Sequence, residues 1–183
     1  MRRFWPLLLL FGTLLCSGPA RAGLALASVT SHQAAQTVLL DLELKIDDSE
    51  SEIPRALLRG EIWLEIEIIL AQKRSLLGHR SVGRLHILRR LSYDPLHNVY
   101  QVTRVNQQEQ QTFPNLDDAL SRLRVLNAIP VTRLDWLLPE LEQYQGEIRA
   151  RLYANPMPMA PSVGSARSQP LDWQSGAVRW SLP

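Results

Sequence analysis

Four carboxylates stand at alternate positions of two apolar runs, Asp41 and Glu43 in the first and Glu65 and Glu67 in the second. Carboxyl groups sharing one sheet face, one protonated and one ionised, could do the acid and base work of glycoside hydrolysis, so the Glu65 and Glu67 strand is the chain's best catalytic candidate. A plainer reading is favoured. Outward strand positions are solvated, and Arg84, Arg90, Arg149 and Arg151 can answer these acids across strands at about 0.2 to 1 kcal/mol each. Other chemistry is poorly supplied. His79 and His86 have no Asp or Glu between them to complete a metal-ligand set, and Gly78-His79-Arg80-Ser81-Val82-Gly83 holds its serine in the wrong register for a nucleophile elbow. No phosphate loop, dinucleotide-binding glycine pattern or two-histidine zinc helix is present. The expectation is a protein that is not an enzyme, with no catalytic residue, cofactor or metal site. The indoles Trp63, Trp136, Trp173 and Trp180 could form a platform for sugar or peptide, although large aromatics more often fill a sandwich core or seal its ends. Trp63, Trp136, Tyr153 and Trp173 are the candidate interaction aromatics.

The amino terminus bears on the compartment. Arg2 and Arg3 make a positive start, Leu7 to Cys16 a short apolar run, and Ala20-Arg21-Ala22 a small-x-small site before Gly23. That order predicts a cleaved signal peptide over residues 1–22, with Ala25-Leu26-Ala27 before Ser28 as a second site. The run falls well short of the roughly 20 residues of a spanning helix, so no transmembrane span is expected after processing. Leu15 argues against lipidation of Cys16, which requires a small residue just before the cysteine. Cys16 is the single cysteine, so processing leaves a thiol-free chain without disulfide or redox pair. The leader has three arginines and no acid. Removing three of the 20 basic residues leaves 17 against 18 acidic ones, and the formal charge of +2 becomes about −1. The basicity that would suggest a nucleic-acid partner goes with it, and none is expected.

The elements that would carry these residues are mostly strands. Val38, Leu40, Leu42, Leu44 and Ile46 share one parity, and Ile62, Leu64, Ile66, Ile68 and Leu70 repeat the pattern, each a half-buried strand. Between them Ser51 can cap a short helical connector that exits through Gly60. Gln72 to Gly83 is polar and punctuated by glycine. Arg84 to Tyr93 and Val99 to Val105 flank Asp94-Pro95-Leu96-His97-Asn98, a turn sequence that predicts an antiparallel hairpin. One convincing helix starts with Asn115 as cap, has Asp117 and Asp118 in its first turn, and ends near Leu126 or Asn127. Ile129 to Leu134 could be a short strand. Leu137-Leu138-Pro139 then leads through Tyr144 to an alternating strand over Glu147 to Tyr153, a spacing like that of the tyrosine corner of immunoglobulin-like sandwiches. The proline-rich segment 155–170 should be extended, and Asp172 to Leu182 should return as an edge strand. Without repeat or linker, residues 23–183 form a single β-rich domain. The expected fold is mainly β, an antiparallel immunoglobulin-like sandwich with one short helix near 115–126; an open α+β sheet is the alternative.

Several short patterns occur in a recognisable order: Ala56-Leu57-x-x-Gly60, Leu91-Ser92-Tyr93-Asp94 followed by Tyr100-Gln101-Val102, and Phe113-Pro114-Asn115-Leu116-x-x-Ala119-Leu120. Tyr144 before Ile148-Arg149-Ala150-Arg151-Leu152, a proline cluster, Asp172-Trp173 and Trp180 follow. In this order they resemble an exported bacterial family catalogued as domain of unknown function 4390, also described as proline-rich signal peptide proteins. The chain departs from the family at Ala71 to Leu77, where members tend to carry arginine and tryptophan, and at Met157-Pro158-Met159-Ala160. The resemblance implies a proteobacterial periplasm and a gene neighbourhood that includes a membrane sensor kinase, and it supplies no reaction. The expected function is a periplasmic binding or accessory module acting with an envelope partner such as that kinase. A carboxylate-dependent envelope hydrolase and a lipid or peptide carrier are the alternatives, and the oligomeric state is open.

Overall fold

Ten strands and two short helices build two antiparallel sheets in a computed structural model that describes residues 23–47, 51–74, 78–137, 144–156 and 171–182. The leader with Cys16, Leu138-Pro139 and residues 157–170 of the proline-rich segment lie outside the described residues. The smaller sheet contains β1 (Leu24–Ala34), β2 (Thr37–Ile46) and β7 (Val125–Arg133), in the order β1-β2-β7. The larger contains β3 (Gly60–Arg74), β4 (Gly78–Asp94), β5 (Val99–Arg104), β6 (Glu109–Phe113), β8 (Tyr144–Pro156) and β10 (Val178–Ser181), in the order β10-β8-β3-β4-β5-β6, with β9 (Asp172–Gln174) also paired to β8. The fold is mainly β and sandwich-like, as the alternation predicts.

Periodicity explains the core. Val38, Leu40, Leu42 and Leu44 of β2 face Ile62, Leu64, Ile66, Ile68 and Leu70 of β3, and all nine are at most 2% exposed. On β8, Ile148, Ala150 and Leu152 lie in register with Ile68, Ile66 and Leu64 and extend the same apolar layer. Successive residues of a strand point to opposite faces, so the intervening Glu65, Glu67, Arg149 and Arg151 lie outside.

The Asp94 to Asn98 turn joins β4 and β5 as expected. Asp94 Oδ1 accepts from the backbone N–H of Leu96 and of His97, and Asn98 takes a positive φ of 54°. Helix α2 spans Leu116–Arg124, with Asn115 Oδ1 accepting from the Asp118 N–H at 2.9 Å. It stops before Leu126, because β2 captures the following residues into β7 without a connecting loop.

The first helix, α1 (Glu52–Leu57), differs from expectation. Ser51 makes no side-chain cap and has φ 55°; Gly60 begins β3 instead of providing a left-handed exit. Nor is α1 a mere connector: Ile53 and Leu57 are buried in the core.

Four strands carry weak sequence signals over all or part of their length. β1 buries only Leu24, so its pattern does not alternate cleanly. β6 is nearly all polar and exists because β5 pairs with it. β3 and β4 also run into the Gln72 to Gly83 stretch, where partner pairing outweighs local polarity. The closing segment is two short strands. Between them, Ser175 continues the ladder by hand: its Oγ accepts from the Ala150 N–H and its N–H donates to the Ala150 carbonyl, both at 2.9 Å.

Candidate functional site

The predicted site residues are dispersed. Asp41 and Glu43 lie on the outer face of the small sheet and Glu65 and Glu67 on the outer face of the large one, so the four carboxylates do not share a face. Each strand has an inward parity, and the two sheets turn their outward parities in opposite directions. Glu67 is paired with Arg84 at 3.3 Å, and His86 stands 3.7 Å from Glu65 and 3.8 Å from Glu67. Asp41 accepts from the Ala128 N–H at 2.7 Å. Arg90 answers Glu61, while Arg149 and Arg151 pair with Glu147 and Asp172 instead of the glutamates opposite them. Among the described residues no three metal-ligating side chains converge.

The aromatics divide as well. Trp63 and Tyr153 are cross-strand neighbours on the outer face of the large sheet, and Arg151 lies over the Tyr153 ring at 5.0 Å. Trp173 faces inward, against the core and Gly23. Trp136 stands apart after β7, 73% exposed, with Arg133 over its ring at 5.7 Å. These four do not form one platform.

What the tertiary structure does assemble is an opening on one side of the sandwich. Strand β5 pairs with β4 only from Arg89 to Asp94. Among the described residues, no strand pairs with that edge of β4 from 78 to 88. The Asn106 side-chain amide donates to the His86 carbonyl at 3.0 Å, which shows that His86 turns its backbone groups toward this edge. By the alternation of a strand, so do Arg84 and Leu88. Val82 is the extra residue of a bulge, since Gly83 opposes Leu70 and Ser81 opposes Ala71; the regular stretch is therefore 83–88. Beside it, between β4 and β7, lies a cleft of about 210 Å³ whose apolar walls include Leu85, Ile87, Leu126 and Ile129.

Arg89 closes the inner end of this cleft. It is only 4% exposed, and its Nη1 donates to the carbonyls of Arg122, Leu123 and Val125 at 2.6, 2.9 and 2.9 Å. Those carbonyls end α2, where unpaired oxygens and the helix dipole favour a cation. Burial first, then the charges of Arg104 and Arg122, pull its pKa down to about 10, which leaves it protonated at neutral pH. Its Nε is buried without a hydrogen-bond partner. Arg104, its neighbour across the ladder, also lines the cleft and pairs with Glu109 at 2.9 Å. The sequence offers one signal for Arg89: it shares the parity of Leu85, Ile87 and Leu91, so it is an arginine on an apolar face.

The family model described as Domain of unknown function (DUF4390) matches residues 21–181. No curated protein matches the chain, and neither does any solved structure.

Proposed function

The chain belongs to the DUF4390 family, and from that premise and the geometry above we propose that it is a non-enzymatic binding module of the periplasm that takes up an extended segment of a partner protein as an added strand on β4. The backbone of 83–88 carries this reading: among the described residues no strand pairs with its outer edge, whose His86 carbonyl is held by the Asn106 side-chain amide that an incoming strand would displace, and an apolar cleft lies beside it. Strand addition draws affinity from main-chain hydrogen bonds and selectivity from pockets that receive alternate side chains, and this edge has both at hand. Other edges suit it less. β7 contains Pro130 and two register shifts, β6 has 5 residues, and β1 is engaged through Ser31, whose Oγ donates to the Ser181 carbonyl at 2.9 Å. A carrier of drug-sized molecules is less favoured, because such sites usually enclose about 300 to 1,000 Å³. Residues 1–22 act in this reading as the export signal, and the outer domain of a membrane sensor kinase is the first partner to test.

Photocrosslinkers placed at Leu88 in cells should capture a partner, and Arg84→Pro should abolish capture while preserving the fold. Proline is tolerated where the lost N–H faces an open edge. Leu85→Pro, whose N–H faces β3, should unfold the domain and serves as the control. Capture that is undiminished in folded Arg84→Pro would overturn strand addition.

A further inference from the structure

The chemistry of the partner segment can be read from the charges around the opening. Three guanidiniums, those of Arg89, Arg104 and Arg122, lie close enough that Arg104 and Arg122 both disfavour the protonated form of Arg89. One carboxylate, Glu109, offsets them, and it is already engaged by Arg104. Arg122 Nε donates to Gln111, a neutral group. The α2 carbonyls take up part of the Arg89 charge, about half a unit by the helix dipole, so the end of the cleft retains a surplus of positive charge. Its other polar lining residues are His86, Asn106, Gln107 and Asn127, none of them acidic. Next to this polar end, Leu85 and Ile87 from β4 and Leu126 and Ile129 from β7 are spaced for side chains that alternate along an extended chain.

Resting on the strand-addition reading, we infer that the incoming segment is an acidic-ended apolar strand: its carboxylate is received by Arg104, backed by Arg89, while its alternate side chains enter the cleft between the sheets. The carboxylate comes from an Asp or Glu side chain or from a chain terminus, since either orientation of a strand on β4 brings one of its ends to Arg104. An ion pair at the cleft mouth selects the partner and fixes the register, and the ladder and the apolar contacts hold it.

The full chain, isotopically labelled, is titrated with short synthetic peptides alternating Val and Thr that carry Asp, Asn or Lys at one end and are blocked at both termini, together with an Asn peptide whose carboxyl terminus is free. The Asp peptide should bind about tenfold more tightly than the Lys peptide, a gap that closes as salt is raised. Amide signals of Arg84, His86 and Leu88 should shift in each bound state. Arg104→Gln should bring the Asp peptide down to the Asn level without altering the Asn peptide's own affinity, and Arg104→Lys should keep most of the preference. A preference for blocked Asp over the free-ended Asn peptide assigns the carboxylate to a side chain, and the reverse assigns it to a terminus. Equal binding of the Asp, Asn and Lys peptides, with those amides shifting, overturns the inference and leaves strand addition standing. Absence of any shift at those amides up to millimolar peptide overturns strand addition as well.

Discussion

The two long sides of the sandwich are closed by opposite means. On the β10 side, the Trp180 ring lies directly on Gly146 and the Trp173 ring on Gly23, in space that a Cβ on either glycine would invade. That side is sealed by apolar rings on bare backbone. On the β7 side the seal is a charged group, Arg89, bonded to the end of α2, and beyond it the sheets part into the cleft. Aromatic burial is insensitive to direction, and the only polar group it buries at Gly146 is the Trp180 Nε1, which has no hydrogen-bond partner among the described residues. A buried guanidinium stabilises only through bonds of specific geometry, here those from Arg89 Nη1 to three carbonyls. One side is therefore closed by close packing and the other by directional hydrogen bonds, and the cleft lies beside the directional seal.

The comparison is broken most severely at Arg89. Arg89→Ala leaves one buried and two partly buried carbonyls without this donor, and a loss of about 3 kcal/mol is expected from urea unfolding. A loss below about 1 kcal/mol would mean that packing, not the guanidinium, holds α2 against β4. On the opposite side, Gly146→Ala forces the Trp180 ring to move. Overpacking of this kind costs about 1 to 3 kcal/mol, and near-ultraviolet dichroism should report the displaced indole.

The smallest effect is one of pH. Hydrogen bonds from Arg151, then its charge, hold the Asp172 carboxyl below the ordinary carboxylate range. A depressed folded value means that the unfolded chain binds the proton more readily. The contribution is therefore full above the unfolded pKa and is lost as pH falls through the folded one. Both partners are well exposed, so the effect on overall stability is small. Acid should loosen β9 from β8 before the core responds, and hydrogen exchange at Leu152 and Trp173 compared between neutral and acid pH would detect it. Asp172→Asn should remove that pH dependence.

Much of the fold was legible because burial repeats with a period of two. Val38 to Ile46, Ile62 to Leu70 and Ile148 to Leu152 declare an inner and an outer face without reference to a partner. The helix after Asn115 was equally legible, because its cap and acidic first turn are local. Polar β6, with its glutamines, was not, since only β5 makes it a strand. Ser51 failed as a cap for a similar reason: burial of Ile53 and Leu57 sets the path of α1, and Ser51 is left in a left-handed conformation. The candidate site was the least legible part. Leu85, Ile87 and Arg89 belong to β4, and Leu126 and Ile129 to β7; no spacing in the chain announces that these meet.

By itself, then, the sequence determined the strands with clean alternation, the face each buries, the hairpin at Asp94 to Asn98 and the helix capped by Asn115, because each of these is encoded by neighbours a few residues apart. How far β5 runs along β4, where the sheets part, and the meeting of Arg89 with the end of α2 were settled by long-range contacts. Those outcomes depend on pairing and packing between distant segments, whose free energy no local pattern contains.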